Sequence, residues 1–103
     1  LFDSSVRPPL PVAKNLYRIA ECALDNAVRH AEAERIEVFV KAARSGETLE
    51  VRDNGIGFDR AAAAPGLGLP LMEHYAAEAG LALSVTSKAG KGTIVKVQRS
   101  ATP

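Results

Sequence analysis

The 103-residue chain predicts an α/β two-layer sandwich: a mixed, largely antiparallel sheet with helices on one face. Three observations carry this reading. The elements run helix, two strands, loop, helix, two strands. Each strand pair is joined by a short glycine-bearing turn, which favours an antiparallel hairpin. The first helix is amphipathic and so has one face to bury against a sheet.

Residues 1–11 contain Pro8, Pro9 and Pro11 and read as an extended lead-in. From about Val12 to Ala31, the residues Leu16, Ala20, Ala23, Leu24, Ala27, Val28 and Ala31 recur at helical spacing. With Asn26 at zero and about 100° per residue, they span an arc from about 80° to 200°, with Ala23 near 60°. Arg18, Glu21 and Asp25 lie opposite, on the solvent side. Cys22, Asn26, Arg29 and His30 form a stripe along the edge of the apolar face, where a ligand could rest. Ile36, Val38 and Val40 then alternate with Glu37, Phe39 and Lys41 as a strand. Ser45-Gly46-Glu47 turns the chain into a returning strand, Thr48 to Arg52. Residues 59–66 are small and without apolar period, and read as a mobile loop. A second helix starts near Leu69-Pro70, with Leu71, Met72, Tyr75, Ala76 and Ala79 as its apolar face and Gly80 as its stop. Leu81 to Ser87 and Thr93 to Gln98 form the second hairpin around Lys88-Ala89-Gly90-Lys91-Gly92.

The length suffices for one domain, because two cores of half this size would not offset chain entropy. A formal charge of +1 lacks the basic footprint of a nucleic-acid binder. The single cysteine, Cys22, excludes an internal disulfide and a cysteine-rich zinc site and fits a reducing compartment. No apolar run approaches the roughly 20 residues that cross a bilayer, and the N-terminus has no signal-peptide pattern, so no membrane contact by this domain is expected. The start at Leu1-Phe2, without methionine, leads us to expect a piece of a longer protein.

The chemistry concentrates at Asp53-Asn54-Gly55-Ile56-Gly57-Phe58, an Asp-x-Gly-x-Gly turn leaving a strand. Glycines let the backbone approach a flat or charged ligand, and the carboxylate before them can accept a hydrogen bond from it. A plain Asn-Gly chain reversal is the competing reading, but it has no use for the second glycine. Gly66-Leu67-Gly68-Leu69 precedes a helix, where free N–H groups and the helix dipole attract phosphate; an ordinary helix start looks the same. Gly90-Lys91-Gly92-Thr93 reads as a hairpin turn before it reads as a ligand contact. On the helix edge, the Asn26 amide oxygen suits Mg²⁺, a hard cation that keeps several waters while bridging phosphates. Arg29 can neutralise phosphate charge, and His30 can lie flat against a base; each also reads as an ordinary boundary residue.

Taken together, Leu16-Tyr17-Arg18-Ile19, Asn26-Ala27-Val28-Arg29-His30-Ala31, Asp53-Asn54-Gly55-Ile56-Gly57-Phe58-Asp59, Gly66-Leu67-Gly68-Leu69 and Gly90-Lys91-Gly92-Thr93 resemble the ATP-binding domain of sensor histidine kinases, in the branch of the nitrate and oxygen sensors. The resemblance runs from about Leu16 to Val97 and extends to the fold family of gyrase, mismatch-repair ATPases, a heat-shock chaperone and anti-sigma-factor kinases. It implies the Bergerat ATP-binding fold and a cytoplasmic domain, spanning 1–103, of a longer bacterial kinase. Mg²⁺ and ATP are the implied ligands. Asn26 would coordinate the Mg²⁺ and Arg29 approach the phosphates. Asp53 would accept the adenine amino group, with Gly55 and Gly57 admitting the base and His30 lining its pocket. Residues 59–66 would form a lid, hinged at Gly66 and Gly68 beside Leu69, and Thr93 would support the adenine. The γ-phosphoryl group would pass to a histidine on the dimerisation domain of the same kinase and then to a response regulator.

Two departures stand out. Cys22 occupies the position where relatives carry the glutamate that activates water; neighbouring Glu21 points to solvent. No arginine lies near Glu73-His74-Tyr75, where relatives often have one. Neither His30 nor His74 lies on a long dimerising hairpin, so the chain by itself lacks the phosphoacceptor. An anti-sigma-factor serine kinase on the same fold, or a nonenzymatic nucleotide-binding or docking module, are the alternatives.

Overall fold

A computed structural model describes residues 10–29, 31–43, 46–57 and 68–100. Its elements are α1 (Leu10–Arg29), β1 (Ile36–Ala43), β2 (Gly46–Asp53), α2 (Leu69–Glu78), β3 (Ala82–Ser87) and β4 (Thr93–Ser100). Among the described residues the strands form one sheet in the order β1-β2-β4-β3, with three antiparallel pairings. Both expected hairpins are present. α1 lies over β2 and β4, and α2 over β3 and beside α1.

Because residues opposite one another in a ladder share a face, the register sorts the helix-facing side into rows. Val38, Val51, Val95 and Val85 form one row; Val40, Leu49, Val97 and Leu83 form the next. Their central members join Ile19, Ala23, Met72, Ala76 and Leu81 in the core, with Ile19, Met72 and Val97 fully enclosed. β1 is an edge strand and extends past the helices, leaving Val38 48% and Val40 42% exposed.

The first helix differs from the sequence reading in two ways. It begins at Leu10, with Pro11 in its first turn, where a missing N–H is harmless. Its buried line runs at i, i+4 through Asn15, Ile19, Ala23 and Ala27, which rotates the core face about 100° toward Asn26 from the predicted arc. Val28, expected in the core, is 68% exposed. Alanine is small enough for either a seam or a flank, so the alanine-rich pattern left the rotation open; Ile19 fixes it. Asn15 is accommodated in the seam because its Nδ2 donates to the Tyr75 carbonyl at 3.0 Å and to Glu78 Oε1 at 2.9 Å.

α2 ends as expected. Gly80 takes φ 67°, its N–H reaches the Ala77 carbonyl, and the Leu81 N–H reaches the Ala76 carbonyl. This is a Schellman closure that also drives Leu81 into the core beside Ala76. Leu71, predicted on the apolar face, is instead 46% exposed; Met72 and Ala76 carry the burial. The lead-in 1–9 and the loop 59–66 lie outside the described residues.

Candidate functional site

Asp53, Thr93 and Ser87 form the last row of the helix-facing side, one step beyond the valines. β2 ends at Asp53, so its side chain stands at the mouth of the sandwich, half-buried. Asp53 Oδ1 accepts the Gly55 N–H at 2.9 Å. A carboxylate has a second oxygen and about four lone-pair sites, so this local bond does not exhaust it. Thr93 is buried, and its hydroxyl shares a 2.8 Å hydrogen bond with Ser87 Oγ. Ser87 Oγ also donates to the Gly92 carbonyl at 3.2 Å.

The glycine turn is locked between the end of α1 and the β3–β4 hairpin. On one side the Ile56 N–H reaches the Ala31 carbonyl at 2.8 Å, and the Ala31 N–H reaches the Asn26 carbonyl at 2.9 Å. A Cβ on Gly55 would collide with that same Ala31 carbonyl. On the other side the Gly90 N–H reaches the Ile56 carbonyl. Gly57 takes φ 65° with no room for a Cβ beside the Lys88 carbonyl, and Gly92 takes φ 80° against the Asp53 carbonyl. The space these glycines provide is therefore filled by protein backbone. Close approach is the right reason for glycine here, but the approaching groups are Ala31, Lys88 and the turn itself.

Asn26 sits half-buried on the core-facing side of α1, five residues before Ala31, and so at the end of the helix that meets the turn. Arg29 is exposed and reaches Asp25 Oδ1 at 3.5 Å, an i, i+4 pair that leaves it mobile and screened. Gly68 is the N-cap of α2 at φ 71°, and its carbonyl accepts the Met72 N–H at 2.9 Å. Cys22 Sγ lies 3.9 Å from where a Cβ on Gly68 would stand. Burial raises the Cys22 thiol above its ordinary value of 9.0, and the charges of Glu21 and Asp25 raise it further. Leu69 is half-buried against the core. Gly66 and His30, like the proposed lid, lie outside the described residues.

The sequence reading missed three participants. Ser87 pins Thr93; Gly92 lets the hairpin touch β2; and Asn54 ties the turn to the α1–β1 link, its Oδ1 accepting the N–H groups of Glu34 and Arg35. The visible signal for Gly92 was its place beside Thr93, directly opposite Asp53 in the register. Two grooves, of about 490 and 400 Å³, follow the α1–α2 seam instead, and Arg18 and Tyr75 line both. These seam grooves contain neither Asn26 nor Asp53.

A helix-backed antiparallel sheet whose Asp-x-Gly-x-Gly turn is wedged between a helix end and a hairpin defines an ATPase-type α/β domain. Residues 12–101 match the family described as histidine kinase-, DNA gyrase B- and HSP90-like ATPase, and the chain belongs to that family. ATP is the nucleotide this membership implies. The chain is 38% identical to the sensor histidine kinase LiaS of Bacillus subtilis over 84% of its own length and 24% of the relative's. It is 32% identical to the histidine-protein kinase/phosphatase DegS of the same organism, over 93% of this chain and 26% of DegS. The oxygen sensor histidine kinase NreB of Staphylococcus carnosus is 32% identical over 81% of this chain and 24% of its own. The chain thus spans about a quarter of these relatives. Among solved structures, the ATP-binding domain of PrrB from Mycobacterium tuberculosis superposes with TM-score 0.67 at 26% identity, over 87% of this chain and 68% of that one. The histidine kinase domain of the Erythrobacter litoralis blue-light-activated kinase gives TM-score 0.71 at 24% identity, over 90% and 46%, and supports the fold. No described helix is long and apolar enough to cross a membrane.

Proposed function

We propose that this domain captures Mg·ATP and presents its γ-phosphoryl group to a histidine on the dimerisation domain of a longer sensor kinase, from which a response-regulator aspartate takes it. The observation that carries the reading is the junction itself: Asp53, at the open end of β2, is joined through the glycine turn to the end of α1 that bears Asn26. The names of the relatives support the histidine as acceptor, and nothing in the described fold favours the serine-kinase or docking alternatives.

In this reading Asp53 accepts the adenine amino group, with Thr93 held rigid beneath it by Ser87. Asn26 and Arg29 face the phosphates, and the N-terminal N–H groups of α2 beyond Gly68 approach them from the lid side. Among the described residues no group of three or more His, Cys, Asp or Glu side chains could hold a metal unaided. This fits a cation whose shell is completed by phosphate and water, with one amide from Asn26. Bound Mg²⁺ would neutralise phosphate charge; the chain's own contribution is positioning, which is most of what phosphoryl transfer requires. A thiol kept protonated beside Gly68 is a poor acceptor for a proton from water, so we propose that Cys22 leaves hydrolysis slow and preserves the phosphoryl group for the protein acceptor.

Calorimetric titration with a nonhydrolysable ATP analogue, with and without Mg²⁺, tests the site. Binding that requires neither Asp53 nor Asn26 would sink it. Joining the domain to its upstream region and assaying labelled phosphohistidine tests the acceptor. A Cys22→Glu variant that binds normally without faster ATP turnover would remove the role given to Cys22.

A further inference from the structure

We infer that Asn54 is a positioning residue for nucleotide capture: its side-chain oxygen clamps the link between α1 and β1 onto the glycine turn and so sets where the Asp53 carboxylate stands relative to α1. The inference rests on the nucleotide site proposed above.

Asn54 Oδ1 accepts two main-chain N–H groups, from Glu34 at 3.0 Å and from Arg35 at 2.8 Å. An amide oxygen offers two lone pairs, and these two donors match them. The Asn54 N–H in turn reaches the Arg35 carbonyl at 3.2 Å, and the Ile56 N–H the Ala31 carbonyl. Four hydrogen bonds therefore zip residues 31–35 to residues 54–56. An asparagine before glycine usually serves its own turn through a bond two residues away. Here its partners are 20 and 19 positions distant in sequence and belong to the link that runs from the end of α1 into β1.

Asn54 is exposed and outside the core, so its truncation opens no cavity. What it controls is placement. It stands between Asp53 and Gly55, which are themselves joined by the Asp53 Oδ1 bond to the Gly55 N–H. Loss of the Asn54 bonds loosens the turn from the link that follows α1, and the Gly55 N–H bond passes that change to the orientation of the Asp53 carboxylate. Small displacements of a recognition group are costly in affinity because the hydrogen bonds that depend on it are directional.

The test compares three variants of the chain by calorimetry with a nonhydrolysable ATP analogue and by thermal unfolding. Asn54→Ala is expected to bind about tenfold more weakly with a melting temperature within a few degrees of wild type. Asn54→Asp keeps an oxygen acceptor in the same place and is expected to restore affinity to within about twofold. Asp53→Asn separates this inference from the site it rests on. If Asp53→Asn weakens binding and Asn54→Ala does not, the clamp is wrong and the site stands; if Asp53→Asn binds like wild type, the site itself is wrong. Failure of Asn54→Asp to rescue a folded, weak-binding Asn54→Ala also overturns the inference. Should Asn54→Ala not fold, hydrogen exchange at the Glu34 and Arg35 amides of the wild type decides: the nucleotide analogue should slow both, and unchanged exchange rejects the coupling.

Discussion

The two ends of the helix-facing side of the sheet are both polar, yet they are built on opposite plans. At the far end Glu47 and Arg99 face each other across β2 and β4. Arg99 Nε reaches both carboxylate oxygens, at 3.0 and 3.1 Å, and Nη2 reaches one of them. Glu47 is 4% exposed, so two charged side chains consume each other to close the core. Nearby in the helix layer, Asn15 is spent in the same way on Tyr75 and Glu78. At the other end, six residues along β2, main chain does most of the holding. Carbonyls and N–H groups of residues 31, 56, 88, 90 and 92 interlock around the glycine turn. The Asp53 carboxylate is left at the mouth. The closed end is fastened by a charged side-chain pair; the open end is fastened by main chain and short polar side chains, and its carboxylate stays at the surface.

The largest effect that would break this contrast is expected at the closed end. Glu47→Ala strands the largely enclosed Arg99 charge and is expected to cost about 3 kcal/mol in urea unfolding, with nucleotide affinity within twofold of wild type. A parallel loss of affinity would show that the two ends are not independent. Gly57→Ala attacks the open end through its backbone, forcing a side chain into positive φ against the Lys88 carbonyl. It is expected to cost about 2 kcal/mol of stability and to weaken nucleotide binding as well, read by the same denaturation and by calorimetry. Asp53→Asn attacks the open end through a side chain alone. Its amide oxygen can still accept the Gly55 N–H, so stability should change little while affinity for the ATP analogue falls by about 1.5–2 kcal/mol, the range for a charge-assisted hydrogen bond.

The smallest effect sharpens the contrast at the edge of the site. Burial raises the Cys22 thiol, so the folded chain holds this proton more tightly than the unfolded chain does. The stability linked to Cys22 is complete below its ordinary value of 9.0 and is lost as pH rises above it. Wild type should therefore lose stability more steeply than Cys22→Ala in unfolding measured above pH 9.0. Equal slopes would remove the burial account.

Much of this was legible in the chain. Alternation in β1, the turn residues of both hairpins and Gly80 after α2 placed every strand and helix within a few residues, because each signal is local. The resemblance singles out Asp53 and Asn26 for the same reason: short motifs carry them. Features that depend on partners far along the chain were invisible. Glu47 looked like a turn residue because its partner Arg99 lies 52 positions away, and nothing near Asn15 announces its partner Tyr75, 60 positions away. Asn54 read as half of a turn dipeptide, since nothing in its neighbourhood announces Glu34 and Arg35. The rotation of α1 escaped because so many of its apolar positions are alanine.

The interlocked turn also bears on how such a domain can change over generations. At Gly55, Gly57 and Gly92 even one added carbon meets main chain, so replacements there lower stability whatever the ligand. Arg29, exposed at the end of α1, holds up little of the framework, and exchanges there leave the fold intact. A scaffold divided in this way can change its exposed side chains one at a time and still fold throughout.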